Sequence, residues 1–369
     1  MDVTTGLVER VIRAGNWIFD VVFPHHLRGL GLVEVCKQNG RRTPINVVSC
    51  GIVGLVPITA HQVFCGVLVA SGSKDFHLRI INDISIGAER IVQHDDTVCS
   101  VGSNASGSVL ATGSRDTHVR IIDRITGIVA HKVCLGAAVF TVAFNREGKL
   151  LAAGTRDQTV RVISVATGKV TATFNMGFEV HCVHFDWRGD NLVVGCDGGI
   201  LSIIQLASGE VVRSCKHASP ISIWSVSVSE TLIASGSQDK MLHLWDFASA
   251  TELCAVEHLD EVSTVCFDVG GTRVATGSDD KHLRIVATSG QSSTSHSRGS
   301  VVLSKRLAAG VLSIAFNMNG AWIIAGCRDR HAYVIDTLQG RILHKLAQVN
   351  SVDRMYLIFR MARCMLCAT

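Results

Sequence analysis

The sequence predicts an all-β fold made of a repeated antiparallel sheet, and three observations lead to this prediction. Short apolar runs are joined by tight turns, as in Ile233–Asp246, where a run ending in Gly-Ser precedes a turn and alternating leucines follow it. The repeat contains strand patterns only. An aspartate recurs in the turn at intervals of 41, 41, 40, 42, 41 and 49 residues, at Asp75, Asp116, Asp157, Asp197, Asp239, Asp280 and Asp329. A strand-only period in the low forties indicates the blades of a β-propeller.

The composition excludes a disordered chain and gives no strong indication of nucleic-acid binding. Charged residues make up 18% of the 369 residues, hydrophobic residues 47%, and the net charge is +4. Thirteen cysteines lie mostly singly within apolar runs, which predicts buried thiols in a reducing compartment, the cytoplasm or the nucleus. The one close pair, Cys364 and Cys367, has no second pair nearby, so it predicts neither a zinc nor a redox site.

The repeat pattern divides the chain into a regular part and an irregular amino-terminal part. Residues 52–350 hold seven regular units, which favours a seven-bladed propeller. Residues 1–51 form a degenerate unit, because Thr5–Phe23 matches the outer strand and following inner strand of Thr167–Phe185 and the match then decays. Eight blades, with this degenerate unit included, are therefore the alternative prediction.

Three segments depart from the regular pattern. The Ser-rich tract 289–300 accounts for the long last interval and is predicted to be a mobile surface loop. Residues 351–369 form a tail of mixed basic and apolar residues whose structure the sequence leaves open. Thr43–Ser73 carries no charged residue and is long enough to cross a bilayer, but Pro57 and other breakers interrupt it. Two adjacent buried strands explain it better, so no membrane span is predicted.

Two units carry a resemblance to a known family. Leu110–Asp123 and Ile233–Asp246 resemble WD40 repeats, and the resemblance extends over the seven regular units. It implies a WD40-type β-propeller, with seven blades favoured and eight as the alternative. In such a ring neighbouring sheets cover each other's apolar faces, which one isolated sheet cannot do.

The resemblance also implies a buried hydrogen-bond network with a structural role. In WD40 proteins this network joins a histidine near the blade's entry, a serine or threonine on the second strand, the turn aspartate and a tryptophan on the third strand. The matching residues here are His94, Thr112 and Asp116 in unit two, His217, Ser235, Asp239 and Trp245 in unit five, and His258, Thr276 and Asp280 in unit six. Only unit five has the tryptophan.

The residue before each turn aspartate is predicted to lie on one rim of the ring, and this rim is the candidate partner-binding site. The positions are Lys74, Arg115, Arg156, Cys196, Gln238, Asp279 and Arg328. The four basic residues are predicted to form an arc that suits carboxylate or phosphate groups, because arginine binds them through two parallel hydrogen bonds.

The sequence contains no motif that indicates catalysis. A nucleophile elbow, a zinc-protease helix, a P-loop and a dinucleotide fingerprint are all missing from it. Histidines recur two residues after the turn aspartate, but each belongs to a different blade, which is too far apart for a shared metal ion. These are His77, His118, His282 and His331. No enzyme activity, metal or cofactor is predicted.

The predicted function is therefore a non-catalytic scaffold or adaptor that mediates protein–protein interactions within a multiprotein complex. Its basic rim would engage acidic or phosphorylated segments. A propeller that binds phosphoinositides or RNA through the same arc is one alternative, and a propeller enzyme is another.

Overall fold

The chain is described from a computed structural model. It describes the strands at residues 8–14, 17–23, 32–36 and 42–46, and then residues 68–72, 75–82, 88–217, 220–288, 297–317 and 319–347. The chain divides into two compact units, Met1–Val63 and Phe64–Thr369.

The second unit contains six four-stranded antiparallel sheets, and in each of them the strands are hydrogen-bonded in chain order. We name these sheets blades 2 to 7 after the repeat units that they contain. Blade 2 comprises β8 Val98–Ser103, β9 Val109–Ser114, β10 His118–Asp123 and β11 Val129–Cys134; blade 3 comprises β12 Val139–Phe144, β13 Leu150–Thr155, β14 Thr159–Ser164 and β15 Val170–Asn175; blade 4 comprises β16 Val180–Phe185, β17 Asn191–Cys196, β18 Ile200–Gln205 and β19 Val211–Lys216. Blade 5 comprises β20 Ile223–Val228, β21 Leu232–Ser237, β22 Met241–Asp246 and β23 Glu252–Glu257; blade 6 comprises β24 Val262–Phe267, β25 Arg273–Ser278, β26 His282–Ala287 and β27 Val301–Arg306; blade 7 comprises β28 Val311–Phe316, β29 Trp322–Cys327, β30 His331–Asp336 and β31 Ile342–Ala347.

The described residues contain six four-stranded blades, not the seven predicted. Repeat unit one forms a three-stranded sheet of β5 Leu68–Gly72, β6 His77–Asn82 and β7 Ala88–Gln93. The inner strand expected to precede β5 would fall at residues outside the described part, so unit one does not count as a complete blade.

The amino-terminal unit differs from the degenerate blade that the eight-bladed alternative requires. Its four described strands form two separate hairpins, β1 Val8–Ala14 with β2 Trp17–Phe23, and β3 Leu32–Cys36 with β4 Arg42–Asn46. The first pair was predicted to be an outer strand and the inner strand of the next blade, which would lie in different sheets. The intervening Gly15-Asn16 is instead a two-residue sequence of the kind that closes hairpins.

Within each blade the buried strands are the first three, as blade 3 illustrates. Every residue of β13 after Leu150 is buried, because neighbouring sheets cover both of its faces. The fourth strand, β15, largely alternates exposed and partly buried residues, as an outer strand with one solvent-exposed face does. The apolar second and third strands of the sequence pattern therefore form the core.

Consecutive blades pack through a recurring glycine on the second strand. A Cβ atom added at Gly154 would lie 2.5 Å from Cγ1 of Val180, the first residue of the next blade's inner strand. The same position is a glycine in units one, two, four, five and six, where the added Cβ would lie 2.6–2.9 Å from a β-branched side chain of the next blade; the glycines are Gly72, Gly113, Gly195, Gly236 and Gly277. The missing side chain lets each sheet approach its neighbour closely, and Val160 of blade 3 shares a buried cluster with Val180 and Phe185 of blade 4.

Three predictions concern residues that lie wholly or mostly outside the described part. These are the loop 289–300, of which residues 297–300 are described, the tail 351–369, and the proposed pair of strands in Thr43–Ser73.

Candidate interaction surface and buried network

The rim position is the residue that follows the second strand of each blade. Its backbone N–H donates to the residue before the inner strand of the same blade, as Arg115 does to the carbonyl of Thr97 and Arg156 to that of Ala138, both at 2.9 Å. The rim residues therefore lie beside the starts of the inner strands. In blades 2 to 7 they are Arg115, Arg156, Asp197, Gln238, Asp279 and Arg328.

Blade 4 corrects the assignment of this position. Cys196, predicted to be the rim residue, is the last residue of β17 and is buried. Asp197, predicted to be the turn aspartate, takes the rim position, since its backbone N–H donates to the backbone carbonyl of Glu179 at 3.0 Å. Gly198 then stands where the other blades have the turn aspartate, and Gly199 has the positive φ of 69° that follows it elsewhere.

Ion pairs within the rim reduce the free positive charge of the predicted arc. Arg328 binds Asp279 of the neighbouring blade through two hydrogen bonds, of 3.1 and 2.6 Å. The Nε atom of Arg156 lies 3.4 Å from Oε1 of Glu179, although its side chain is 69% exposed. Arg115 is exposed and pairs with no carboxylate among the described residues. Lys74 lies outside them.

Blade 5 contains a continuous chain of buried hydrogen bonds. Trp245 donates through Nε1 to Oγ of Ser235 at 2.9 Å. The Ser235 hydroxyl in turn donates to Nε2 of His217 at 2.9 Å, and His217 donates through Nδ1 to Oδ2 of Asp239 at 2.9 Å. Burial lowers the pKa of His217, so a neutral imidazole satisfies every group in this chain. All four predicted residues of this unit are thus joined.

Blades 2 and 6 hold their turn aspartates differently. His94 contacts Thr112 at 2.8 Å, but its Nδ1 donates to the carbonyl of Val92 rather than to Asp116. Asp116 instead pairs with Arg120, at 2.7 Å. Blade 6 repeats this arrangement, with His258 bonded to Thr276 and Val256 and with Asp280 paired to Arg284 at 2.8 Å. Burial and then the nearby arginine lower the pKa of His94 and of His258 to about 4.

The position four residues after the turn aspartate decides between these two arrangements. It is an arginine in units one, two, three and six, and each arginine pairs with its own aspartate at 2.5–2.8 Å; they are Arg79, Arg120, Arg161 and Arg284. In blade 5 the position is His243, which leaves Asp239 accessible to His217.

His243 lies between two carboxylates. Its Nε2 is 3.1 Å from Oδ2 of Asp239, and its Nδ1 is 2.9 Å from Oε1 of Glu252. Burial opposes a charge on His243, but the hydrogen bonds to the two carboxylates outweigh burial and raise its pKa. Burial likewise acts to raise the pKa of Asp239, yet bonds from both histidines hold it well below its usual range. His243 therefore takes the place of the arginine, and the two carboxylates favour its protonated form.

Two clusters in the described part bring three metal-ligating atoms within 4.8 Å of one another. One is His217, Asp239 and His243, whose atoms are already joined by the hydrogen bonds given above. The other is Glu179, His181 and Asp197, beside the rim of blade 4. The four recurring histidines, by contrast, each bond to the carbonyl of their own turn aspartate at 2.5–3.0 Å; they are His77, His118, His282 and His331.

Comparison with known families agrees with this architecture. A family model described as "WD domain, G-beta repeat" matches residues 89–123, 209–246, 252–286 and 302–336. A second, described as "Anaphase-promoting complex subunit 4 WD40 domain", matches residues 134–187. No curated protein sequence matches the chain.

The described part also contains no helix with the length and apolar character that a membrane crossing needs. The WD40 matches together span more than half of the chain, and each repeat match runs from the outer strand of one sheet through the first three strands of the next. The predicted resemblance is thereby confirmed, and the chain belongs to the WD40-repeat family of β-propellers.

Proposed function

We propose that this chain is a non-catalytic protein-interaction scaffold that binds its partners on the rim bearing the turns. WD40 propellers commonly act as such scaffolds, and one segment resembles a domain of a subunit of the anaphase-promoting complex. That resemblance favours a place within a multiprotein complex.

The observation that carries the proposal is the pair of exposed arginines on consecutive blades, Arg115 and Arg156. Their backbones are fixed by the bonds to Thr97 and Ala138, and both side chains are exposed, although Nε of Arg156 lies 3.4 Å from Oε1 of Glu179. A rigid backbone with an exposed, forked cation suits an acidic or phosphorylated segment. Arg328 contributes less than the sequence predicts, since Asp279 already neutralises it.

Charge reversal tests this proposal. The double variant Arg115→Glu, Arg156→Glu is expected to retain about one-tenth of the wild-type partner capture or less, because each arginine that binds a carboxylate is worth roughly tenfold or more. Capture is measured by quantitative mass spectrometry of the proteins that co-purify with the affinity-tagged chain. Arg213→Glu on the outer strand β19 is the matched control, because Arg213 is exposed and lies away from the rim.

Circular dichroism melting curves show whether the variants remain folded. Unchanged capture by a folded double variant would show that these rim arginines do not bind the partner. An equal loss in Arg213→Glu would show that total charge, not the rim, determines binding.

A further inference from the structure

Every inner strand of blades 2 to 7 begins with a β-bulge at its second residue. The pairing with the second strand skips one residue there, for example between Val139 and Thr141 in blade 3. The bulge residues are Cys99, Phe140, His181, Trp224, Ser263 and Leu312. A bulge leaves its residue unpaired and redirects the side chain. The bulges therefore place one side chain per blade beside the rim.

Three consecutive bulge residues carry rings, and each of the outer two contacts the middle one. The rings of Phe140 and His181 are stacked, with centroids 5.4 Å apart, and the ring of Trp224 lies tilted 5.0 Å beyond His181. Phe140 and Trp224 remain partly exposed, while His181 is buried between them. The result, which we call the ring row, is a row of three rings in contact across blades 3, 4 and 5, of which the outer two are partly exposed.

Carboxylates hold the ring row in place and give its border a negative charge. Asp197 accepts hydrogen bonds from Nε2 of His181 and from the hydroxyl of Ser222, at 2.8 and 2.5 Å. Glu261 accepts one from Nε1 of Trp224 at 3.1 Å. Neither Asp197 nor Glu261 pairs with a lysine or arginine in the described part of the chain, and the Asp197 side chain is 37% exposed. Glu179, the third nearby carboxylate, is shared with Arg156.

We propose that the ring row, together with Asp197 and Glu261, binds an arginine side chain from an extended segment of a partner protein. An aromatic face attracts a cation through its negative quadrupole. A guanidinium group can stack on such a face and still donate in its own plane to carboxylates at the edge of the ring. The two uncompensated carboxylates supply the complementary charge. This inference rests on the proposed scaffold function, and it names the partner chemistry of the part of the rim that the basic arc does not cover.

The test uses the full chain and a fluorescein-labelled peptide, Gly-Ser-Gly-Arg-Gly-Ser-Gly, titrated by fluorescence anisotropy. The matched probe replaces the arginine by citrulline, which has the same shape and no charge. The arginine peptide is expected to bind with roughly tenfold or greater preference over the citrulline peptide. Trp224→Ala is expected to weaken arginine binding by about five- to tenfold.

Two further variants keep the test independent of folding defects. Glu261→Gln preserves the shape of the side chain and an acceptor for Trp224, and it is expected to weaken arginine binding about fivefold while the citrulline peptide is unaffected. Trp187→Ala is the control for loss of an exposed tryptophan. Trp187 is 39% exposed and lies in the turn that follows the far end of β16. Its ring contacts the guanidinium groups of Arg188 in the same turn and of Arg146 in the turn after β12. This control is expected to bind like the wild type.

Several results would overturn the proposal. Equal binding of the arginine and citrulline peptides would do so, as would equal losses in Trp224→Ala and Trp187→Ala. Saturable binding of Zn²⁺ that requires Glu179 and Asp197, with no arginine binding, would assign a metal site instead. If the arginine peptide fails to bind while Arg115→Glu, Arg156→Glu still abolishes partner capture, this inference fails and the scaffold proposal stands.

Discussion

Ser235→Ala should destabilise the protein because one hydroxyl connects two buried groups in blade 5. Ser235 is fully buried, and its oxygen accepts from Nε1 of Trp245 while its proton goes to Nε2 of His217. Removal of the hydroxyl leaves the Trp245 donor and the His217 acceptor without partners. Each unsatisfied buried group costs about 1–3 kcal/mol, so the free energy of unfolding is expected to fall by roughly 2–6 kcal/mol.

The matched comparison is Thr112→Val in blade 2. It removes a buried hydroxyl of nearly the same environment, but only His94 loses a partner, so the expected loss is about 1–3 kcal/mol, half of that expected for Ser235→Ala. Urea unfolding at pH 7, followed by tryptophan fluorescence and by circular dichroism, gives both values. Equal losses in the two variants, or a loss below about 1 kcal/mol for Ser235→Ala, would refute the linked chain of bonds.

Two further predictions concern blade 5 and blade packing. Because the pKa of His243 is raised, its ion pairs with Asp239 and Glu252 stabilise the fold fully below the ordinary pKa of 6.5. This stabilisation is lost as pH rises through the folded-state pKa. The lowered pKa of His217 has the opposite effect, since it reduces the stability of the fold on the acid side. His243→Arg should abolish the alkaline part of this dependence, measured as melting temperature from pH 6 to 9, whereas an unchanged pH profile would contradict a protonated His243. Gly154→Ala is expected to lower the free energy of unfolding by about 1–3 kcal/mol, because its Cβ would lie 2.5 Å from Val180 and 2.6 Å from Thr141. Gly102→Ala, whose nearest contact would be 3.5 Å away, is expected to be nearly neutral. Similar urea midpoints for the two variants would argue against close blade packing.

Local repetition made the blades and most turns predictable from the sequence. The turn aspartates recur with strand patterns on both sides, so the hairpins of blades 2, 3, 5, 6 and 7 follow from short-range patterns. Asp197 was wrongly predicted to be the turn residue because every other unit has an aspartate in its turn, whereas in blade 4 Gly198 takes that position. The positive φ of Gly199, which the structure supplies, restores the correct alignment.

Contacts between blades could not be predicted in the same way. Arg328 and Asp279 are 49 residues apart in the chain and meet only because neighbouring blades bring their rims together. The pairing of Asp116 with Arg120 rather than with His94 depends on side-chain reach, which spacing alone does not give. The ring row was missed because Phe140, His181 and Trp224 belong to separate repeats. An alignment of the repeats at the bulge position would have revealed it.

Hydrogen–deuterium exchange of the full chain with its captured partner tests the central claim most directly. If the rim binds the partner, binding should slow backbone amide exchange at the rim turns and at the starts of the inner strands, at residues 114–118, 137–141, 155–159 and 178–182. Protection confined to the turns at the other ends of the inner strands, 145–149 and 186–190, or to the outer strands, would contradict it.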